Sequence, residues 1–346
     1  MSPVMMRGMS KLSCIMALLL ASVQHRAEPQ VPASAPRLPH NDRVRIAEAL
    51  QLTHQLGDRI WPGLKDTPMP ILLVGDSAEF LVRQGRPGGD FRPSGDSLAG
   101  FPIWSRPRRL SPTMLATFPI EGSPTIVIGS AERTGKTSTE WVLTLLHEHF
   151  HQWQYSRPDY YSGVARLDLS QGDSTGMWML SYPFPYDSAR VAQAVRRWAG
   201  GLLHALERSP ANAEAMTEVI KARDGLRVLV SPADYRYLEF ELWQEGVARY
   251  IEYRAAQTAA QQETPSAEFR TLKDYRSYRA TAAQARTDLL RELKRMDTRR
   301  DRRVIVYPLG AAIALLLDET RPEWKQAYVS APFALAGLLP EGETSR

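Results

Sequence analysis

The chain has 346 residues, 43% hydrophobic and 23% charged, with a formal net charge of +5. That is enough apolar sequence for one large core or two lobes, while a lone cysteine, Cys14, excludes a disulfide framework. No run beyond the N-terminus is long enough to cross a membrane, and no internal repeat is present.

Taken in chain order, Arg7 and Lys11 precede the apolar stretch 14–23, the layout of a secretory signal peptide, which we assign to residues 1–27. The protein is therefore expected to be exported, periplasmic or secreted, with no stable membrane span after signal removal; an uncleaved N-terminal anchor is the alternative. Residues 28–40 are Pro/Ala-rich and read as a disordered lead. Residues 41–60 carry helical periodicity through Val44, Ile46, Ala47, Leu50, Leu52 and Leu56. Short apolar runs at 71–74, 101–104, 114–120 and 125–128 predict a small sheet, with 84–96 a Gly/Pro/Arg loop. The segment 129–137 follows a strand and opens a helix, as a phosphate-binding loop does. Five residues separate Gly129 from Gly135 where that motif needs four, and Glu132 would repel phosphate, so a P-loop-like nucleotide-binding protein is the weaker alternative.

The next helix begins with a capping box, Thr137 to Glu140, and Trp141, Val142, Leu145 and Leu146 carry its period into His147-Glu148-His149-Phe150-His151. On a helix, His147 and His151 share one face and can both aim a ring nitrogen at one ion. Glu148 sits about 100° round the axis, suited to act as a base on a metal-bound water without ligating. This spacing is the signature of zinc metallopeptidases. The bland alternative is a histidine-rich turn on a core helix. His149 falls among Val142, Leu145 and Trp153 and reads as a packed histidine; only as a strand would the three histidines line up on one side.

After a Tyr/Pro-rich stretch at 158–186 the pattern is helical over roughly 188–207, 212–224, 234–261, 267–296 and 309–318. A catalytic zinc takes three protein ligands plus water, so a third must come from this half. The run Leu242-Trp243-Gln244-Glu245-Gly246-Val247-Ala248-Arg249-Tyr250-Ile251-Glu252-Tyr253 resembles the second zinc helix of the gluzincin aminopeptidases, which implies that Glu245 is the third ligand. Gly246 would then serve a close approach of two helices. The same face, with Glu241, Arg249 and Glu252, also suits a solvated helix with an (i, i+4) Glu-Arg pair. Glu241 and Glu252 stand as reserve ligands or as groups orienting the histidines. Tyr307-Pro308-Leu309-Gly310 is similar to the Tyr-x-x-Gly of that family, which implies that Tyr307 stabilises the oxyanion. Packing of Tyr307 where a strand-like 304–306 meets the helix is the alternative, and Tyr250 or Tyr253 could take the role. The Gly-x-Met-Glu-Asn segment that holds a free amine in those aminopeptidases has no counterpart, so their specificity is not implied.

The expectation is an α+β, zincin-like domain over 41–346, with a small mixed sheet lobe and the metal helix at about 41–155 and a mainly helical lobe at about 156–346. It would bind Zn2+ through His147, His151 and Glu245 and cleave a peptide or protein substrate with Glu148 as general base. A zinc-site protein of the cell envelope without catalytic activity is the main alternative. The arginine runs 106–109 and 299–303 read as solvated basic surface, no nucleic acid is expected, and the oligomeric state stays open. An extended substrate is expected to pair with the strand at 125–128.

Overall fold

The computed structural model describes residues 36–208, 210–262 and 265–339; the signal-peptide assignment and most of the lead lie outside them. The lead ends earlier than expected, since Leu38 is already buried in the core. The described chain is an α+β fold, a six-stranded mixed sheet with many helices.

The strands are β1 (Ile71–Val74), β2 (Ala78–Val82), β3 (Arg92–Leu98), β4 (Phe101–Pro107), β5 (Leu115–Ile120) and β6 (Ser123–Gly129), in the order β3-β4-β2-β1-β6-β5. Only β1 and β6 pair in parallel. Two hairpin turns carry positive φ at both central residues, Ala99-Gly100 and Glu121-Gly122, the backbone that matches strand twist in two-residue hairpins. The period of two divides the strands between two cores. Ile71, Leu73, Phe80, Ile126 and Ile128 face the main core, while Leu72, Val74, Leu81 and Val127 form a smaller cluster with Phe91.

β2 and β3 were not expected. β2 carries Glu79, fully buried and satisfied by Arg106 Nε and the backbone N–H groups of Arg109 and Leu110, each at 2.7 Å. β3 is a polar edge strand that begins inside the region read as a loop, and it pairs with β4. The expectation that 125–128 would receive a substrate strand is overturned, because β6 is interior, flanked by β1 and β5; the edge on that side of the sheet is β5.

The main helices are α1 (His40–Ile60), α2 (Ser138–Tyr155), α3 (Ala189–Glu207), α4 (Ala213–Arg227), α5 (Pro232–Glu241), α6 (Val247–Gln262), α7 (Tyr278–Lys294) and α8 (Val306–Thr320). α2 packs on β5 and β6, on α1, and on α6, which in turn packs on α7 and α8. Between α5 and α6 the helix runs through one π-helical stretch, Leu242–Gly246, where a continuous helix was expected. The helix expected over 267–296 is broken into Ala267–Arg270 and α7. Asp274 in the gap takes the N–H of Ser138 at 2.9 Å and its hydroxyl at 2.6 Å. Residues 304–306 are not strand-like: a 3-10 turn, Arg302–Ile305, leads directly into α8. Pro308 fits the first turn of α8, where its missing N–H has no helical partner to lose.

Candidate metal centre

α2 begins as the sequence predicts: Thr137 and Glu140 form a complete capping box, worth about 1 kcal/mol. With Asp274 and Glu140 on its first N–H groups, this terminus is closed by the protein's own carboxylates, which disfavours a phosphate there. The glycine of the would-be phosphate loop has a packing cause instead, since a Cβ on Gly129 would lie 1.8 Å from the Pro112 carbonyl oxygen.

On the buried face of α2, His147 Nε2 lies 3.6 Å and His151 Nε2 3.4 Å from Glu245 Oε2. All three ligand atoms fall within 4.8 Å of one another. Those gaps are long for hydrogen bonds. They suit donors around one ion: ligands about 2.0–2.1 Å from a tetrahedral zinc stand roughly 3.4 Å apart. Two imidazoles and a carboxylate are also a donor set that zinc takes, so the residues fit the ion.

Each candidate ligand is held from behind. Glu252 Oε2 faces His147 Nδ1 at 3.7 Å and is itself bonded by Arg249 at 2.8 Å. Gln154 Nε2 donates to the carbonyls of Trp243 and Gln244 and to the Tyr328 hydroxyl, which leaves its Oε1 as the acceptor 2.7 Å from His151 Nδ1. This places the His151 proton on Nδ1 and frees the Nε2 lone pair. Gln244 Nε2 also approaches that Nδ1, at 3.1 Å; we assign the proton by the shorter contact. His149 points away as expected, sealed in the interior with its ring nitrogens 2.8 Å from Gln152 Oε1 and 3.0 Å from the Leu64 carbonyl, and burial pushes its pKa down.

Glu148 lies one residue on and lines the same cleft. Its partner is Thr117 on β5, whose hydroxyl is 2.8 Å from Oε2 and 3.0 Å from the Glu148 carbonyl. Nothing in the sequence marks Thr117; it lies thirty-one positions away and meets Glu148 because α2 packs on β5 as well as β6.

The π-helical stretch puts Glu245 on the histidines and Glu241 deeper, both against one cation. Arg303 Nη2 lies 2.8 Å from Glu245 Oε1 and 2.8 Å from Glu241 Oε2, and Nη1 donates to the Tyr307 hydroxyl at 3.1 Å. The solvated-helix reading of this face is thereby overturned, since Glu241 is fully buried and Glu245 largely so. So is the surface reading of the 299–303 run at Arg303. Glu241 and Glu252 lie outside the three-atom ligand set. Burial alone would raise the Glu245 carboxyl, but His151, His147 and Arg303 hold it well below the usual carboxylate range. Burial lifts Glu241 to about 8 against the pull of Arg303. At His147 burial disfavours charge, but Glu245 and Glu252 outweigh it and push the ring up to about 10.

Tyr307 lines the cleft, its ring stacked on His147 with centroids 6.2 Å apart. Burial and Glu245 raise its pKa against Arg303, which keeps the phenol protonated. Tyr250 and Tyr253 are not alternatives: neither lines the cleft, and Tyr250 donates to Asp318 at 2.8 Å. Gly246 does serve the close approach expected of it. A Cβ there would stand 2.5 Å from the Cα of Gly310, and the converse holds with the same distance. The glycines following Glu245 and closing Tyr307-x-x-Gly310 are thus one contact between α8 and the end of the π-helical stretch.

The cleft holds about 680 Å³, with His147, Glu148, Tyr307, Leu115, Lys136 and Arg295 among its walls. Lys136, expected to be solvated, belongs to this wall. No family model, no curated protein and no solved structure matches this chain.

Proposed function

We propose that the protein is an exported, zinc-dependent hydrolase of gluzincin type that cleaves amide bonds in peptide or protein substrates, with a zincin-like arrangement of sheet edge, metal helix and helical lobe. The observation that carries this reading is that His147 Nε2 and His151 Nε2 lie 3.6 and 3.4 Å from Glu245 Oε2, all three atoms within 4.8 Å of one another, with Glu148 lining a cleft beside His147. Zinc held by His147, His151 and Glu245 would supply a Lewis acid that brings the pKa of water towards about 7.

The chain's own groups do the rest. Glu148 takes a proton from the attacking water and returns it to the leaving nitrogen, and Thr117 holds that carboxylate in place between the two transfers. The Tyr307 phenol donates to the oxyanion that develops on the substrate carbonyl. The edge strand β5 offers its unpaired side to an extended substrate backbone, the sheet-edge mode of peptide capture. A cleft of about 680 Å³ accommodates a few residues of such a chain.

The test is metal content followed by turnover. Wild-type protein should carry close to one zinc per chain, lost in His151→Ala and in Glu245→Ala. Glu148→Gln should keep the zinc and lose about 10²–10⁴-fold in kcat on a peptide library. Zinc surviving Glu245→Ala would move the third ligand elsewhere. Zinc without any Glu148-dependent turnover would leave a metal-site binding protein.

A further inference from the structure

Arg303 belongs to a run of arginines that reads as solvated surface, yet its side chain is only 17% exposed and all its close partners are groups of the candidate site. It arrives there by an unusual backbone. Arg302, immediately before it, has φ +48° and ψ −130°, a conformation that costs an L-residue energy and persists only where its surroundings impose it. The Arg302 side chain is pinned on Asp187 at 2.8 Å and over the Tyr186 ring, and the chain then turns Arg303 inward.

We infer that Arg303 is a positioning residue: it restricts Glu245 to ligation through Oε2 and aims the proton of Tyr307 into the cleft. This rests on the zinc-hydrolase reading above and goes beyond it. A carboxylate beside a cation-binding site can offer one oxygen or both. Here Oε1 receives the guanidinium at 2.8 Å, while Oε2 alone faces the two histidines. The argument for Tyr307 is one of hydrogen count. A phenol has one proton to donate, and arginine has no lone pair to accept it. Because Nη1 donates to the Tyr307 oxygen at 3.1 Å, the phenol proton must point elsewhere, and the ring lines the cleft. One planar, permanently charged fork thus sets both a ligand and a donor, which a lysine cannot reproduce from a single ammonium. Glu241 completes the cluster as a fully buried carboxyl group 2.8 Å from Arg303 Nη2.

The experiment uses the full chain with zinc bound. The zinc Kd is measured by chelator competition, and kcat and KM on a peptide substrate, for wild type, Arg303→Met, Arg303→Lys, Tyr307→Phe and the Arg303→Met/Tyr307→Phe pair. Arg303→Met should weaken zinc about 10–100-fold, as loss of a ligand-orienting group does, and lower kcat with zinc saturating. Tyr307→Phe should leave the zinc Kd unchanged. The pair should be no slower than its slower single variant, since a phenol that is no longer aimed has little left to lose. Arg303→Lys should regain most of the zinc affinity but little of the kcat.

Wild-type zinc affinity in Arg303→Met, or kcat losses that multiply in the pair, would overturn the inference while leaving the metal site standing. No zinc in the wild type would overturn the site and this inference with it. Zinc without peptide cleavage would sink the hydrolase reading, and the Kd comparison alone would then decide the role of Arg303. Should Arg303→Met fail to fold because Glu241 is stranded, Glu241→Gln/Arg303→Met compared with Glu241→Gln makes the same measurement with that carboxylate neutralised.

Discussion

His147 meets a carboxylate on each ring nitrogen, Glu245 at Nε2 and Glu252 at Nδ1, so in the metal-free protein it is an imidazolium across the physiological range. The linkage has a definite sign. A histidine raised from about 6.5 in the unfolded chain to about 10 contributes stability that is fully present below 6.5 and is lost as the pH rises through 10. Glu241 acts in the same direction: folding favours its protonated form, so stability also declines from 4.5 to about 8. Metal-free protein should therefore lose denaturant midpoint steadily from pH 6.5 to 9, as urea melts in EDTA would record. Zinc needs the ring nitrogen that the proton holds, so binding at pH 7.5 should release close to one proton per ion, read by calorimetry in buffers of different ionisation heat. A midpoint that climbs with pH in EDTA would mean that Glu245 and Glu252 do not charge this ring.

The elements that carry the site differ in how openly the sequence declares them. α2 is legible because everything that defines it is local: the Thr137–Glu140 cap, the apolar period and two histidines one turn apart. Glu245 stands out only through its resemblance to a known motif, since its periodicity also fits a solvated helix. The π-helical stretch that aims it has no residue signature. Thr117 and Arg303 are invisible for another reason, as each is defined by a partner that only the fold brings near. The same holds for β2, whose Glu79 interrupts an apolar run and is rescued by Arg106 from β4. Gly246 and Gly310 explain each other once α6 and α8 are in contact. Alanine at either position forces a Cβ to 2.5 Å from backbone, so each should lower stability by about 1–3 kcal/mol. Each should also weaken zinc, because Glu245 is the neighbour of one glycine; unchanged zinc content in a folded Gly310→Ala variant would show that the helix contact does not set the ligand.

At the scale of the whole molecule, some of the cations behind the +5 balance line the cleft. Lys136 and Arg295 line the cleft with no carboxylate at ion-pair distance among the described residues, whereas Arg249, Arg291 and Arg300 on the same walls are paired. Substrates carrying carboxylates should feel this field, and salt should weaken it. Between about 0.01 and 1 M salt the screening length falls from about 30 to about 3 Å, so KM for an acidic peptide should rise several-fold while that for a neutral one holds. Equal salt dependence for both would remove charge from substrate selection. The glycine contact has a thermal consequence as well. Where Gly310 of α8 bears on Gly246 of the π-helical stretch, backbone meets backbone between the segment that carries the candidate ligand Glu245 and the helix that carries the phenol. Side chains in such a gap would change rotamer on warming and let the two groups drift; hard-core repulsion between main chains gives a stop that temperature barely moves. Turnover should therefore follow a straight Arrhenius line up to the melting transition and fail there abruptly.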